Sequence, residues 1–181
     1  HTTTDYDGAL GAFAAGARHV THLYNGMNPL HHRNPGLIGA AFDGGATVEL
    51  ICDGLHIHPA AIRVTHRLFG KKMVAVSDSL RCAGMPDGEY ELGGQQVFLK
   101  GGIARLADGT IAGSATNLFE CMRRAISFGI PQEDAIRAAS YNPACALNAQ
   151  QEIGSIESGK KADFVVCNAD YSEKTAYIGG I

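Results

Sequence analysis

The sequence predicts an α/β protein of parallel strands joined by helices, with β-rich additions in two places. Three observations lead there. Helical and β-prone segments alternate from residue 5 to residue 78. The β-prone runs end in polar residues: HVTHLY holds His22, TVELICD ends at Asp53 with His56 just beyond, and MVAVSD ends at Asp78. From 80 to about 112, and again from 151 onward, the helical period gives way to short strands and glycines. Parallel strands present active side chains at their carboxyl ends, so the polar residues should meet in one crevice.

Each element has a local reason. Asp5 is placed to cap a helix over YDGALGAFAAGA, and Gly16 to stop it. HVTHLY follows as a strand, then NGMNPLHHRNPG as a long polar loop full of turn residues. LIGAAF is a short apolar stretch leading to the strand TVELICD. Pro59 occupies the first helical position of AAIRVTHRLFG, and Gly70 ends it. MVAVSD is the third strand. Between Leu80 and about Ala112, EYEL, QQVFL and GIARL alternate with glycines and read as hairpins, an insertion of the kind that forms a lid. Helices return over Asn117–Phe128, with Ser114 or Thr116 as cap, and over Pro131–Ala139, with NPACALN as a shorter one. EIGSIESGKKADFVVCNADY and the closing TAYIGGI read as a small separate sheet. The expected organisation is one unit over 1–150 and a second over 151–181.

The chain has 181 residues, more than one small domain and fewer than the roughly 250 of a complete eight-fold barrel. A formal charge of -3 gives no reason to expect nucleic acid or an anionic membrane as partner. No apolar run is long enough to span a bilayer. There is no signal peptide and no initiating Met, so a partial chain is expected. The five cysteines form no CxxC pair, which points to reduced thiols in a cytoplasmic protein, used as small apolar side chains.

Two imidazoles and a carboxylate at one rim can hold a divalent metal and activate water. His1 and His22 are the imidazoles, although a terminal histidine can equally be frayed and His22 a satisfied core residue. Asp78 is the candidate general base, or else a helix cap. His56, with His58 as rival, can donate to an oxygen gaining negative charge. Arg33 and the amides near Asn25–Gly26 can grip a phosphate, though Asn-Gly is also an ordinary turn and Arg33 can be a solvated cation.

HLYNGM, CDGLHIHP, VSDSLRCAGMPDGEYELGG, IAGSA and GSIESGKKADFVV together resemble the N-acetylglucosamine-6-phosphate deacetylases of the metal-dependent amidohydrolase superfamily. The resemblance implies a partial (β/α)8 TIM barrel, with the C-terminal β-segment belonging to a small β-sandwich. It implies hydrolysis of N-acetylglucosamine 6-phosphate to glucosamine 6-phosphate and acetate, in amino-sugar catabolism. By position, His1 and His22 match metal ligands, His56 the histidine near the substrate carbonyl, and Asp78 the catalytic carboxylate. Asn25, Gly26 and Arg33 match the sugar-phosphate stretch, and Ala112, Gly113 and Ser114 a substrate-contacting turn. Gly26 stands where many members carry Ala, a departure that leaves its amide available. A homodimer is implied, with the Arg33 loop reaching a neighbouring site. The family's third metal ligand is a glutamate upstream of these residues. Zn fits two histidines and a carboxylate, and Fe, Mn or Co are chemically acceptable. The alternatives are a deacetylase of the galactosamine epimer, a cyclic-amide hydrolase, and a non-catalytic fragment.

Overall fold

The structure is a computed structural model that describes all 181 residues, His1–Ile181. Asp5 caps α1 (Tyr6–Ala14) as its sequence position requires, its carboxylate accepting from the Gly8 amide at 2.8 Å. Strand β1 is shorter than expected and holds only His19–Val20. The run HVTHLY cannot continue as a strand because His22 (φ 34°) and Tyr24 (φ 79°) take left-handed backbone, which breaks the pleat. LIGAAF is helical, within α2 (Gly36–Asp43). Strand β2 (Thr47–Ile51) lies between β1 and β3 (Met73–Val76), parallel to both, with Val20 opposite Val48 and Ile51 opposite Val76.

Helix α3 (Pro59–Phe69) connects β2 to β3. It starts at proline, whose missing N–H costs nothing there, and stops at Gly70 in positive-φ backbone. Helices α4 (Leu118–Ser127), α5 (Gln132–Ala139) and α6 (Tyr141–Ala146) follow. The cap of α4 is neither Ser114 nor Thr116 but Asn117, whose side-chain oxygen accepts from the Glu120 amide at 3.0 Å. Ser114 is engaged elsewhere: its hydroxyl accepts from the Thr116 amide, and its main chain pairs beside Ser79.

The core follows from strand alternation. Val48, Leu50 and Cys52 of the β2 run and Met73 and Ala75 of β3 cluster with Ile38, Ile62, Phe69, Cys121 and Ala135 from the surrounding helices. Fully burying each large aliphatic side chain is worth roughly 1.5–3 kcal/mol. The intervening residues of β2, Thr47 and Glu49, are half-buried and polar, and they hydrogen-bond to His19 of β1.

The hairpin insertion is a four-stranded antiparallel meander: β4 (Gly88–Leu92), β5 (Gln95–Lys100), β6 (Ile103–Leu106) and β7 (Ile111–Gly113). Gly93–Gly94 and Gly101–Gly102 make its two tight turns with both residues at positive φ, the backbone that best matches strand twist. Its exit returns to the parallel sheet. The Ser114 amide donates to the Asp78 carbonyl at 3.0 Å, and the Leu80 amide to the Ser114 carbonyl at 2.8 Å. On the other side Thr2 pairs in parallel with Met27, its amide donating to the Gly26 carbonyl at 3.0 Å. The chain ends in a separate hairpin, β8 (Phe164–Cys167) with β9 (Lys174–Tyr177). The molecule is mixed α/β, and no helix is long and apolar enough to cross a membrane.

Candidate active site

His22, Asp53 and Asp78 all follow strands of one parallel sheet, so the sheet register brings three polar segments to its carboxyl end. Two of these residues carry unusual backbone, His22 at φ 34° and Asp78 at φ 49°. Left-handed conformations of this kind on residues other than glycine are held only where the surroundings enforce them, and they recur at functional sites.

His1 and His22 come together. Their ring centroids are 4.6 Å apart and nearly perpendicular, at 83°. His22 is buried, and its Nδ1 has no hydrogen-bond partner within the chain. Gly26 packs against the His1 ring, so that a Cβ built on its backbone would crowd Cδ2 of His1 in this arrangement. Two imidazoles with an unpartnered buried nitrogen fit two ligand positions of a divalent cation. No group of three His, Cys, Asp or Glu side chains suited to a metal assembles in these residues.

His56 is held by Asp53. The Asp53 carboxylate is buried and fully satisfied: one oxygen accepts the Leu55 and His56 amides at 2.8 and 2.9 Å, and the other meets His56 Nδ1 at 2.7 Å. Burial raises the pKa of this carboxyl, but the hydrogen bonds from the His56 ring and the two amides outweigh it, and the net shift is downward. His58 is occupied differently, capping α3 by accepting the Ala60 amide at 3.1 Å.

Asp78 is exposed, and its main-chain carbonyl accepts the Ser114 amide, which brings Ala112, Gly113 and Ser114 beside it. Gly113 adopts φ 150° and packs against Leu80, whose side chain would have to shift to admit a Cβ there. Asn25 turns its side-chain amide back onto the His22 and Leu23 carbonyls, both at 3.3 Å. Arg33 lies exposed on the loop just after His31 and His32, whose rings are tilted by 41° with centroids 4.2 Å apart. Cys52 and Cys121 are buried thiols pushed up to about 12, chiefly by burial, and so are neutral and inert.

Sequence reasoning gave no role to Asp53 or Glu49. Glu49 accepts the His22 amide at 3.3 Å and pairs with His19 Nε2 at 3.0 Å, tying the first strand loop to β2. The signal was a lone charge in the apolar run TVELI and an Asp three residues before a His. An apolar groove of about 530 Å³ lies apart from this constellation, among Phe119, Met122, Ile136, Phe164 and Tyr171.

The Amidohydrolase family profile matches residues 1–180. N-acetylglucosamine-6-phosphate deacetylase of Vibrio furnissii is 42% identical over 99% of this chain and 46% of its own length. N-acetylgalactosamine-6-phosphate deacetylase of Escherichia coli O157:H7 is 37% identical over 99% of this chain and 48% of its own length. The crystal structure of N-acetylglucosamine-6-phosphate deacetylase from Pasteurella multocida superimposes with a TM-score of 0.94 at 31% identity, covering 98% of this chain and 48% of that one. The chain thus spans about half the length of the relatives it matches. With a family profile that fits from end to end and a superposition of this closeness, the chain belongs to the amidohydrolase family.

Proposed function

We propose that the full-length protein carrying these residues is a metal-dependent deacetylase that hydrolyses N-acetylglucosamine 6-phosphate to glucosamine 6-phosphate and acetate. The observation that carries this reading is the His1–His22 pair with its unpartnered buried nitrogen, in a chain whose relatives are named for that reaction. Residues 1–150 are read as the C-terminal part of a (β/α)8 barrel, with the meander over 80–112 as a lid on its rim. Residues 151–181 are read as strands of a small sandwich. The parallel pairings that flank the three-stranded sheet, at Thr2–Met27 and Ser79–Ser114, support the barrel reading.

His1 and His22 would hold a divalent cation through their imidazole nitrogens, a donor set that Zn suits, with a carboxylate from outside these residues completing it. When bound, the cation polarises the attacking water and the amide carbonyl. Asp78 takes a proton from the water and returns it to the departing nitrogen, without which an amine does not leave. His56 donates to the carbonyl oxygen as charge develops on it. Arg33 and the amides near Asn25 and Gly26 take the phosphate, and Ala112, Gly113 and Ser114 line the sugar. The protein is read as a cytoplasmic homodimer in which the exposed Arg33 loop reaches the neighbouring site.

The second reading is the galactosamine epimer as substrate, favoured by the relative of that name at 37% identity. Steady-state rates on both epimers, measured with the full-length protein, test the assignment. The glucosamine form should show the higher kcat/KM. A reversed preference would transfer the assignment to the epimer, and failure on both would remove the sugar phosphate altogether.

A further inference from the structure

We propose that Asp53 is a positioning residue for His56: its carboxylate takes the Nδ1 hydrogen and thereby leaves Nε2 as the one ring atom free to meet the substrate carbonyl. The proposal rests on the role assigned to His56 above. Three donors converge on the Asp53 carboxylate, and all come from its own loop: the Leu55 amide at 2.8 Å, the His56 amide at 2.9 Å and His56 Nδ1 at 2.7 Å. Both side chains are shielded, at 3% exposure for Asp53 and 8% for His56, so water does not compete for the contact. Arg124 anchors the loop from helix α4 by donating to the Asp53 main-chain carbonyl at 2.6 Å.

An ionised carboxylate only accepts, so the hydrogen between Oδ2 and Nδ1 belongs to the ring. His56 Nε2 makes no hydrogen bond within the chain, so it is the ring nitrogen left unengaged. To donate from Nε2 while Nδ1 keeps its hydrogen, the ring must be imidazolium, and the Asp53 charge beside it compensates that form. The other groups packed around Asp53 are the neutral thiols of Cys52 and Cys121 and the Arg124 guanidinium. The Glu120 carboxylate also acts on Cys121, but Asp53 is the anion that contacts the His56 ring directly. The same logic orients metal-bound and triad histidines, where a second group fixes which nitrogen works.

Asp53→Asn tests it, because the two main-chain amides claim the side-chain oxygen and turn the new NH2 toward Nδ1. In the full-length protein this change should lower kcat on N-acetylglucosamine 6-phosphate by about 10–100-fold, with KM little altered. Combined with His56→Asn, it should add almost nothing to the loss from His56→Asn alone. Imidazole nitrogen shifts of His56 give a readout independent of turnover. Nδ1 should carry its hydrogen in the parent protein and lose it in Asp53→Asn. Multiplicative losses in the double variant, or a bare Nδ1 in the parent, would overturn the proposal, and the parent spectrum decides even if Asp53→Asn does not fold. A parent that shows the predicted spectrum but no turnover would sink the substrate assignment and leave the Asp53–His56 pairing standing.

Discussion

A side chain at position 26 would point at Cδ2, Cγ and Nε2 of His1, and a branched one has no room there. Glycine also carries φ 62° there, a conformation that costs other residues roughly 1–2 kcal/mol. Gly26→Val should therefore expel the His1 ring, and elemental analysis of the full-length variant should find clearly less bound metal than in the parent. Unchanged metal content would mean that His1 is not held against Gly26. Asp53 gives a pH prediction. Its folded pKa lies below the unfolded value of about 3.9, so its stabilisation is complete above that pH and fades as pH falls through the lower folded value. Denaturant midpoints of the parent should exceed those of Asp53→Asn near neutral pH and converge with them in strong acid. The buried thiols Cys52, Cys82 and Cys121 should stay unlabelled by a thiol reagent in the native protein, as mass spectrometry of the labelled peptides would show.

At the scale of elements, the parallel strands are short and depend on what packs behind them. Cys121 and Ala125 on α4 and Ala135 and Ala138 on α5 are small residues that bring these helices close to the sheet, so the position of α4 also fixes Arg124 on the Asp53 loop. Asn117→Ala removes the cap of α4 and should cost about 1 kcal/mol in denaturant unfolding. Thr116→Ala should cost clearly less, since Thr116 makes no side-chain hydrogen bond to the helix end. Equal losses from the two would contradict the observed cap. The meander matters to the site through its exit, because β7 delivers Gly113 and Ser114 beside Asp78.

The whole molecule leaves apolar side chains uncovered in its last third. Ile156 is 89% exposed, Leu147 75% and Ile178 72%, alongside half-exposed Val165 and Val166. Exposed apolar area on this scale is characteristic of a surface that packs against something else. The 181-residue chain alone should self-associate in light scattering, and co-expression with the remainder of the full-length protein should suppress that. A monodisperse, soluble chain with full turnover would show that nothing outside these residues is needed at the site, including a third metal ligand.

Periodicity and punctuation determined much of this. The βα order, the proline start and glycine stop of α3, the Asp5 cap and the glycine-paired turns of the meander are local consequences of residue type, legible without a fold. That the segments holding His22, Asp53 and Asp78 follow parallel strands was legible, because apolar β-prone runs ending in polar residues place those residues at the sheet's carboxyl edge. Only the tertiary structure decided which side chains meet. His1 approaches His22 across 21 positions, with Gly26 packed against the His1 ring. The strand at HVTHLY stopped early because the loop was held in left-handed backbone, and Ser114 lost its capping role to pairing with the Asp78 segment. Such contacts are long-range, and no window of sequence encodes the steric and hydrogen-bond competition that settles them.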